Sequence, residues 1–182
     1  VGRAAAADGD EFVLGRDGRE TSPALAAAVA AGLESGGATV RRIGEVPTPA
    51  LAYASRGRRG LMITASHNPP TDNGLKLFVD GQEYGDDAET RIEARVEEGS
   101  DPAAWDAWGE ATELDVLERY RAAVVDYAEG FGASPDGLTV AVDCGNGMGS
   151  VATPQVLRTL EADVRALNAT VDGHFPGRES KP

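Results

Sequence analysis

The chain has 182 residues, 41% of them hydrophobic, enough to bury one substantial core or two small ones. Against 17 basic residues stand 30 acidic ones; the formal net charge of −13 excludes the basic surface a nucleic-acid partner needs, so an anionic substrate must be held by locally placed cations. A single cysteine, Cys144, excludes an internal disulfide, and no run approaches the ~18 apolar residues of a membrane span.

The Ala-rich start, Ala4–Ala7, gives way to Asp8 and Asp10 too soon for a signal peptide, so a cytoplasmic protein without a membrane partner is expected. Lysine occurs only at Lys76 and Lys181, and so acidic a composition also suits a salt-rich cytoplasm.

Glu11–Gly15 is a short β-rich run that leads into a polar loop, Arg16–Ser22. A helix is expected next, with Ser22 as its cap, Pro23 at the first helical position, Leu25, Val29 and Leu33 forming a core stripe, and Gly36–Gly37 as its stop. Thr39–Ile43 reads as a second strand, Thr48 and Pro49 open a short helix through Ala54, and Leu61–Thr64 reads as a third strand. This order predicts an α/β fold: a mixed, mostly parallel sheet with helices on both faces, and ligands at the carboxyl ends of the strands. There the chain places Ala65–Asn73, a turn-rich loop longer than a hairpin requires. In the returning run Gly74–Val79, alternation sets Leu75 and Leu77 on one face and Lys76 on the other.

Asp87–Glu98 reads as an acidic surface helix with Ile92 and Val96 facing inward, and Gly99–Gly109 as an irregular segment anchored by Trp105 and Trp108. Leu117, Tyr120, Val124, Tyr127 and Phe131 make a core-facing stripe that predicts a helix over Leu114–Phe131. After Gly132–Gly137, strand Thr139–Asp143, turn Cys144–Gly149, helix Val151–Leu160 and strand Asp163–Leu167 begin a second α/β unit, and Val171–Pro182 reads as loop. The expected division is a first domain over 1–113, a connecting helix and linker over 114–136, and the opening of a second, similar α/β domain over 137–182. Two strands are too few to close a core alone, so a longer parent protein is expected.

The residues by themselves admit several chemistries. Ser66 and His67 could be a nucleophile and base, but adjacent side chains usually diverge, which disfavours a hydrolase. The turn Cys144-Gly145-Asn146-Gly147 has neither Walker nor GxGxxG spacing; it reads as structural, with glycine for positive φ and cysteine as a small apolar residue. His174 has no second ligand at metal spacing and reads as a loop residue.

Thr64–Phe78 (TASHNPPTDNGLKLF) resembles the active-site serine loop of the α-D-phosphohexomutase superfamily. Gly15–Pro23 (GRDGRETSP), Val46–Ala50 (VPTPA), Val142–Gly147 (VDCGNG) and Val171–Gly177 (VDGHFPG) resemble further signatures of that family in the same order. The resemblance implies a phosphohexose mutase of phosphoglucomutase or phosphomannomutase type, acting on a hexose phosphate. Such an enzyme moves a phosphoryl group between the 1 and 6 positions of an aldohexose phosphate through a hexose 1,6-bisphosphate, which is also the activator.

It implies that Ser66 is a phosphoserine at rest and makes Ser66, His67, Arg19 and Lys76 the catalytic candidates. Arg19 would contact the phosphoserine or transferring group, Lys76 would act as general acid/base or charge stabiliser, and Arg19, Asn68 and Lys76 would bind phosphate or substrate. Mg²⁺ is implied too, with the phosphate oxygen on Ser66 as the metal ligand from this chain. The family's carboxylate-rich metal loop, its sugar-recognition loops and its first strand have no counterpart here, so this chain alone is expected not to complete a catalytic cycle.

The physical requirements agree, since phosphoryl transfer asks mainly for positioning and charge stabilisation, and Pro69 and Pro70 stiffen the loop. Two alternatives are a non-catalytic binding or scaffold module that keeps the serine loop, and a nucleotide-binding α/β domain, which the absent Gly-rich fingerprint disfavours. The choice of hexose and the oligomeric state are not written in these residues.

Overall fold

Strand β1 (Glu11–Arg16) sits between two apolar layers, and its alternation divides the core. Phe12 and Leu14 face one layer, where they meet α1 (Gly2–Ala6), α2 (Ser22–Ser35) and α4 (Asp86–Glu98) through Ala5, Val29, Leu33 and Ile92. Val13 faces the other, where α3 (Thr48–Ala54) contributes Ala50 and Leu51, joined by Val116 and the half-buried Tyr120. Helices therefore cover both faces of the sheet, as the strand–helix order predicts. The computed structural model describes residues 1–132 and 134–177, so the end of the loop expected over Val171–Pro182 lies outside the described residues.

β1 pairs in parallel with β2 (Thr39–Glu45) on one side and β3 (Arg59–Ile63) on the other, and β6 (Ala111–Glu113) extends the β2 edge in parallel. β4 (Leu75–Val79) returns antiparallel to β3, and β5 (Gln82–Glu83) pairs antiparallel with β4, giving the order β5-β4-β3-β1-β2-β6. After α5 (Leu117–Glu129), strands β7 (Thr139–Asp143) and β8 (Asp163–Leu167) form a separate parallel pair. A 3-10 turn at Met148–Val151 and helix α6 (Thr153–Thr159) join them, so the helix expected from Val151 begins two residues later. Among the described residues no helix is long and apolar enough to cross a membrane.

Several local expectations are corrected. Ser22 and Thr48 do not cap their helices: both are already helical, and no side-chain cap bond forms at either N-terminus. The Ser22 hydroxyl is drawn instead to the Asp17 carboxylate at 2.6 Å. Val96 is 44% exposed, leaving Ile92 as the inward residue of α4.

Trp105, 89% exposed, and Trp108, whose indole N–H reaches only Ala103 O of the same segment at 3.2 Å, do not anchor the segment before β6 to its neighbours. Backbone bonds do, from Ala103 to Ser35 and from Gly109 to Glu34, and a Cβ on Gly109 would lie 2.0 Å from the Ala38 carbonyl oxygen. The α5 stripe is not core along its length. Tyr120 packs near Tyr53 with ring centroids 6.2 Å apart, but Tyr127 and Phe131 are 72% and 70% exposed.

Candidate active site

The site is built where β1 and β3 end side by side. The amide of Asp17 donates to the Ile63 carbonyl at 2.9 Å, which brings the loop after β1 against the loop after β3. The second of these closes at its base through Thr64 N–H to the Gly74 carbonyl, 3.0 Å, and Thr64 Oγ1 accepts the Ser66 amide at 3.0 Å. Ser66 itself has φ +55°, a left-handed conformation that a non-glycine residue adopts at a steric cost and that tertiary contacts must hold. Its side chain is exposed at the head of the loop, with Oγ 3.4 Å from His67 Nδ1, at the outer limit of a hydrogen bond.

Those contacts come from Arg19, the largest fully buried side chain, 1% exposed. Its planar fork has five N–H donors, and all are used on protein oxygens. Nε donates to Asp17 Oδ2 at 3.1 Å, Nη1 to the carbonyls of Pro69 and Asp72 at 2.5 and 3.0 Å, and Nη2 to those of Ser66 and Asn68, both at 2.9 Å. The other Asp17 oxygen accepts the Arg19 amide and the Ser22 hydroxyl. Asn73 closes the network, giving its amide hydrogens to Thr21 Oγ1 and Ser22 Oγ and accepting Gly74 N–H. Arg19 thus lies beneath the serine loop with its fork on the loop's backbone. Asn68 contributes its carbonyl to that fork while its side chain is exposed.

Ser66 and His67 open onto a cleft of about 250 Å³ together with Asp17, Gly18 and Thr64. Its far wall is built from residues beyond β7: Asn146, Met148, Val171, Asp172 and Phe175. Lys76 is not among the lining residues. It lies on β4 opposite Met62, on the face away from Leu75 and Leu77 as alternation predicts, with Nζ 2.6 Å from Glu83 Oε1.

Asn146 lines the cleft from the turn that the sequence marks as structural. Buried with φ +58°, it donates its side-chain amide to Thr170 O and accepts Gly177 N–H on Oδ1, while its carbonyl accepts Asp172 N–H. The VDCGNG and VDGHFPG segments are therefore one stapled unit, and an asparagine between glycines was the signal for its left-handed turn.

Residues 1–103 match the family described as phosphoglucomutase/phosphomannomutase, alpha/beta/alpha domain I. That match spans more than half of the chain, and the chain belongs to the phosphoglucomutase/phosphomannomutase family. It is 42% identical to a phosphopentomutase of Thermococcus kodakarensis, covering 93% of this chain and 38% of that protein. It is 44% identical to a phosphoglucosamine mutase of Saccharopolyspora erythraea (88% and 37%) and 36% identical to a phosphomannomutase/phosphoglucomutase of Pseudomonas aeruginosa (100% and 39%). The crystal structure of a phosphoglucomutase/phosphomannomutase family protein from Burkholderia thailandensis superposes with a TM-score of 0.84 at 29% identity, covering 98% of this chain and 41% of that one. The chain spans about two-fifths of the length of these relatives.

Proposed function

We propose that the chain carries the phosphoryl-transfer serine of a cytoplasmic phosphohexose mutase, with Ser66 as the group that is phosphorylated. The observation that carries this reading is Ser66 itself: an exposed hydroxyl in a left-handed backbone conformation, at the carboxyl ends of two parallel strands and at the mouth of a cleft. In the forward step the Oγ–P bond breaks as a new O–P bond forms to one hydroxyl of an aldohexose phosphate; that hydroxyl's proton passes to a base, and the leaving Ser66 Oγ takes up a proton. The bisphosphate so formed returns the phosphoryl group from its other position to Ser66 Oγ, which gives the isomeric monophosphate and restores the phosphoserine. A hexose 1,6-bisphosphate supplied from outside would charge the serine in the same way and so act as activator.

His67 and Asn68 are the donors assigned to the transferring group, and Lys76 is its charge stabiliser or acid–base partner. The Lys76–Glu83 pair is part-exposed and made at one point, hence weak enough for the ammonium to exchange its carboxylate for a phosphate. Arg19 serves the phosphoserine through the loop backbone it holds. Mg²⁺ belongs to the same reading, but the described residues do not form its site. Among them no group of three or more His, Cys, Asp or Glu side chains could hold a cation, and both Asp17 oxygens are engaged, which leaves a phosphate oxygen on Ser66 as the ligand this chain would supply.

Intact-mass measurement tests the proposal. Full-length protein, dephosphorylated and then incubated with glucose 1,6-bisphosphate, should gain one phosphoryl group, and Ser66→Ala should abolish the gain. Phosphate found on another residue would end the Ser66 assignment.

A further inference from the structure

The proposed reaction uses the Ser66 hydroxyl, yet the groups that shape its loop lie below it and beyond the first sheet. We infer that Phe175 is a positioning residue for the serine loop: its ring stacks on the Arg19 guanidinium and keeps that charge directed at the four loop carbonyls. The inference rests on the proposed function only for the use of that loop.

The ring centroid lies 5.3 Å from Arg19 Cζ, within cation–π range. The serine loop above the guanidinium is open to water: Ser66, Asn68, Pro69 and Asp72 are all exposed, although their carbonyls hold four of the five donor bonds of a buried cation. Charge-assisted bonds of this kind are strong where water cannot compete, and a ring over one guanidinium face keeps water off it while leaving the in-plane donors to the carbonyls.

The backbone goes to some cost to place that ring. Phe175 has φ +51°, an outlier for a bulky residue, inside a turn held by Phe175 N–H to Asp172 O at 3.0 Å and His174 N–H to Asp172 Oδ1 at 2.9 Å. The turn reaches Arg19 through a glycine contact: a Cβ on Gly173 would stand 2.6 Å from the Gly18 carbonyl oxygen and 3.0 Å from Arg19 Cα. A strained conformation, a glycine where no other residue fits and a stacked ring all converge on one guanidinium.

The test is amide hydrogen exchange of the peptide spanning 64–74, on unphosphorylated protein, followed by mass spectrometry. It reports on the Ser66, Asn68, Asp72 and Gly74 amides, each hydrogen-bonded within the loop. Phe175→Leu keeps apolar bulk but removes the π face, and exchange in this peptide should rise about tenfold, with β1 and β3 peptides unchanged. Phe175→Tyr keeps the face and should match the wild type. Unaltered exchange in Phe175→Leu, equal acceleration in both variants, or acceleration spread over the whole chain would each overturn the inference. The measurement involves no sugar phosphate, so its failure leaves the proposed reaction standing, and an unphosphorylated Ser66 in the mass experiment leaves the stacking result standing.

Discussion

At the scale of the residue, Arg19 shows why arginine and lysine are not equivalent. Five acceptors converge on one planar fork, and a lysine could offer at most three donors from a single point. Arg19→Lys should therefore leave two or more acceptors without their donor and cost about 2–4 kcal/mol, read as a lower urea midpoint. Lys76 is the opposite case, a part-exposed ion pair of little worth to the fold. Lys76→Ala should leave the midpoint within ~0.5 kcal/mol while slowing mutase turnover of the full-length protein by roughly 10²-fold. Unchanged turnover would remove Lys76 from the chemistry.

Among the elements, α1 is too short to be stable alone and is held to its neighbours by a polar network. Asp8, just past its end, accepts from Arg95 of α4 at 2.5 Å and from the Tyr84 hydroxyl at 3.1 Å, and Tyr84 in turn accepts from Arg59 of β3 at 2.7 Å. Burial pushes the Asp8 carboxyl upward. The Arg95 hydrogen bond and charge, with help from Tyr84 and Arg59, outweigh that and hold it below the ordinary aspartate value. A carboxyl depressed in the folded state stabilises the fold fully above its unfolded pKa, and that stability is lost as pH falls through the folded one. Asp8→Asn should therefore lower Tm at pH 7, and the gap to wild type should close as pH drops below about 4. A gap independent of pH would mean that only packing was lost.

Across the whole molecule, the two sheets meet beside the serine loop, at the loop after β1. A Cβ on Gly173 would stand 2.6 Å from the Gly18 carbonyl oxygen, and one on Gly18 would stand 2.2 Å from Val171 Cγ1, so neither glycine has room for a side chain. This contact carries the far wall of the cleft, so the cleft exists only while the two units are seated. Net charge acts on the same scale. At −13 the folded chain repels itself, and added salt screens that repulsion. Raising NaCl from low ionic strength to 1 M should raise Tm, whereas a flat or falling profile would show that local ion pairs outweigh the global repulsion.

Local pattern alone determined the layers: the unbroken apolar runs within 11–15 and 61–64 and the stripe of Leu25, Val29 and Leu33 place a parallel sheet between helices, because a strand buried on two faces has no polar side to alternate with. The exposed serine loop, and Lys76 opposite Leu75 and Leu77, were likewise legible from local spacing. Tertiary structure alone decided what Arg19, Ser22, Asn146 and Phe175 do. Each is paired with partners distant along the chain or drawn off its local role: Arg19 with carbonyls about 50 residues on, Ser22 with Asp17 rather than with its own helix, and Phe175 with a guanidinium from the loop after β1. The open end of α5 and the exposed tryptophans follow the same rule. An apolar residue says that it would gain from burial, but only the arrangement of the elements decides whether a surface is there to bury it.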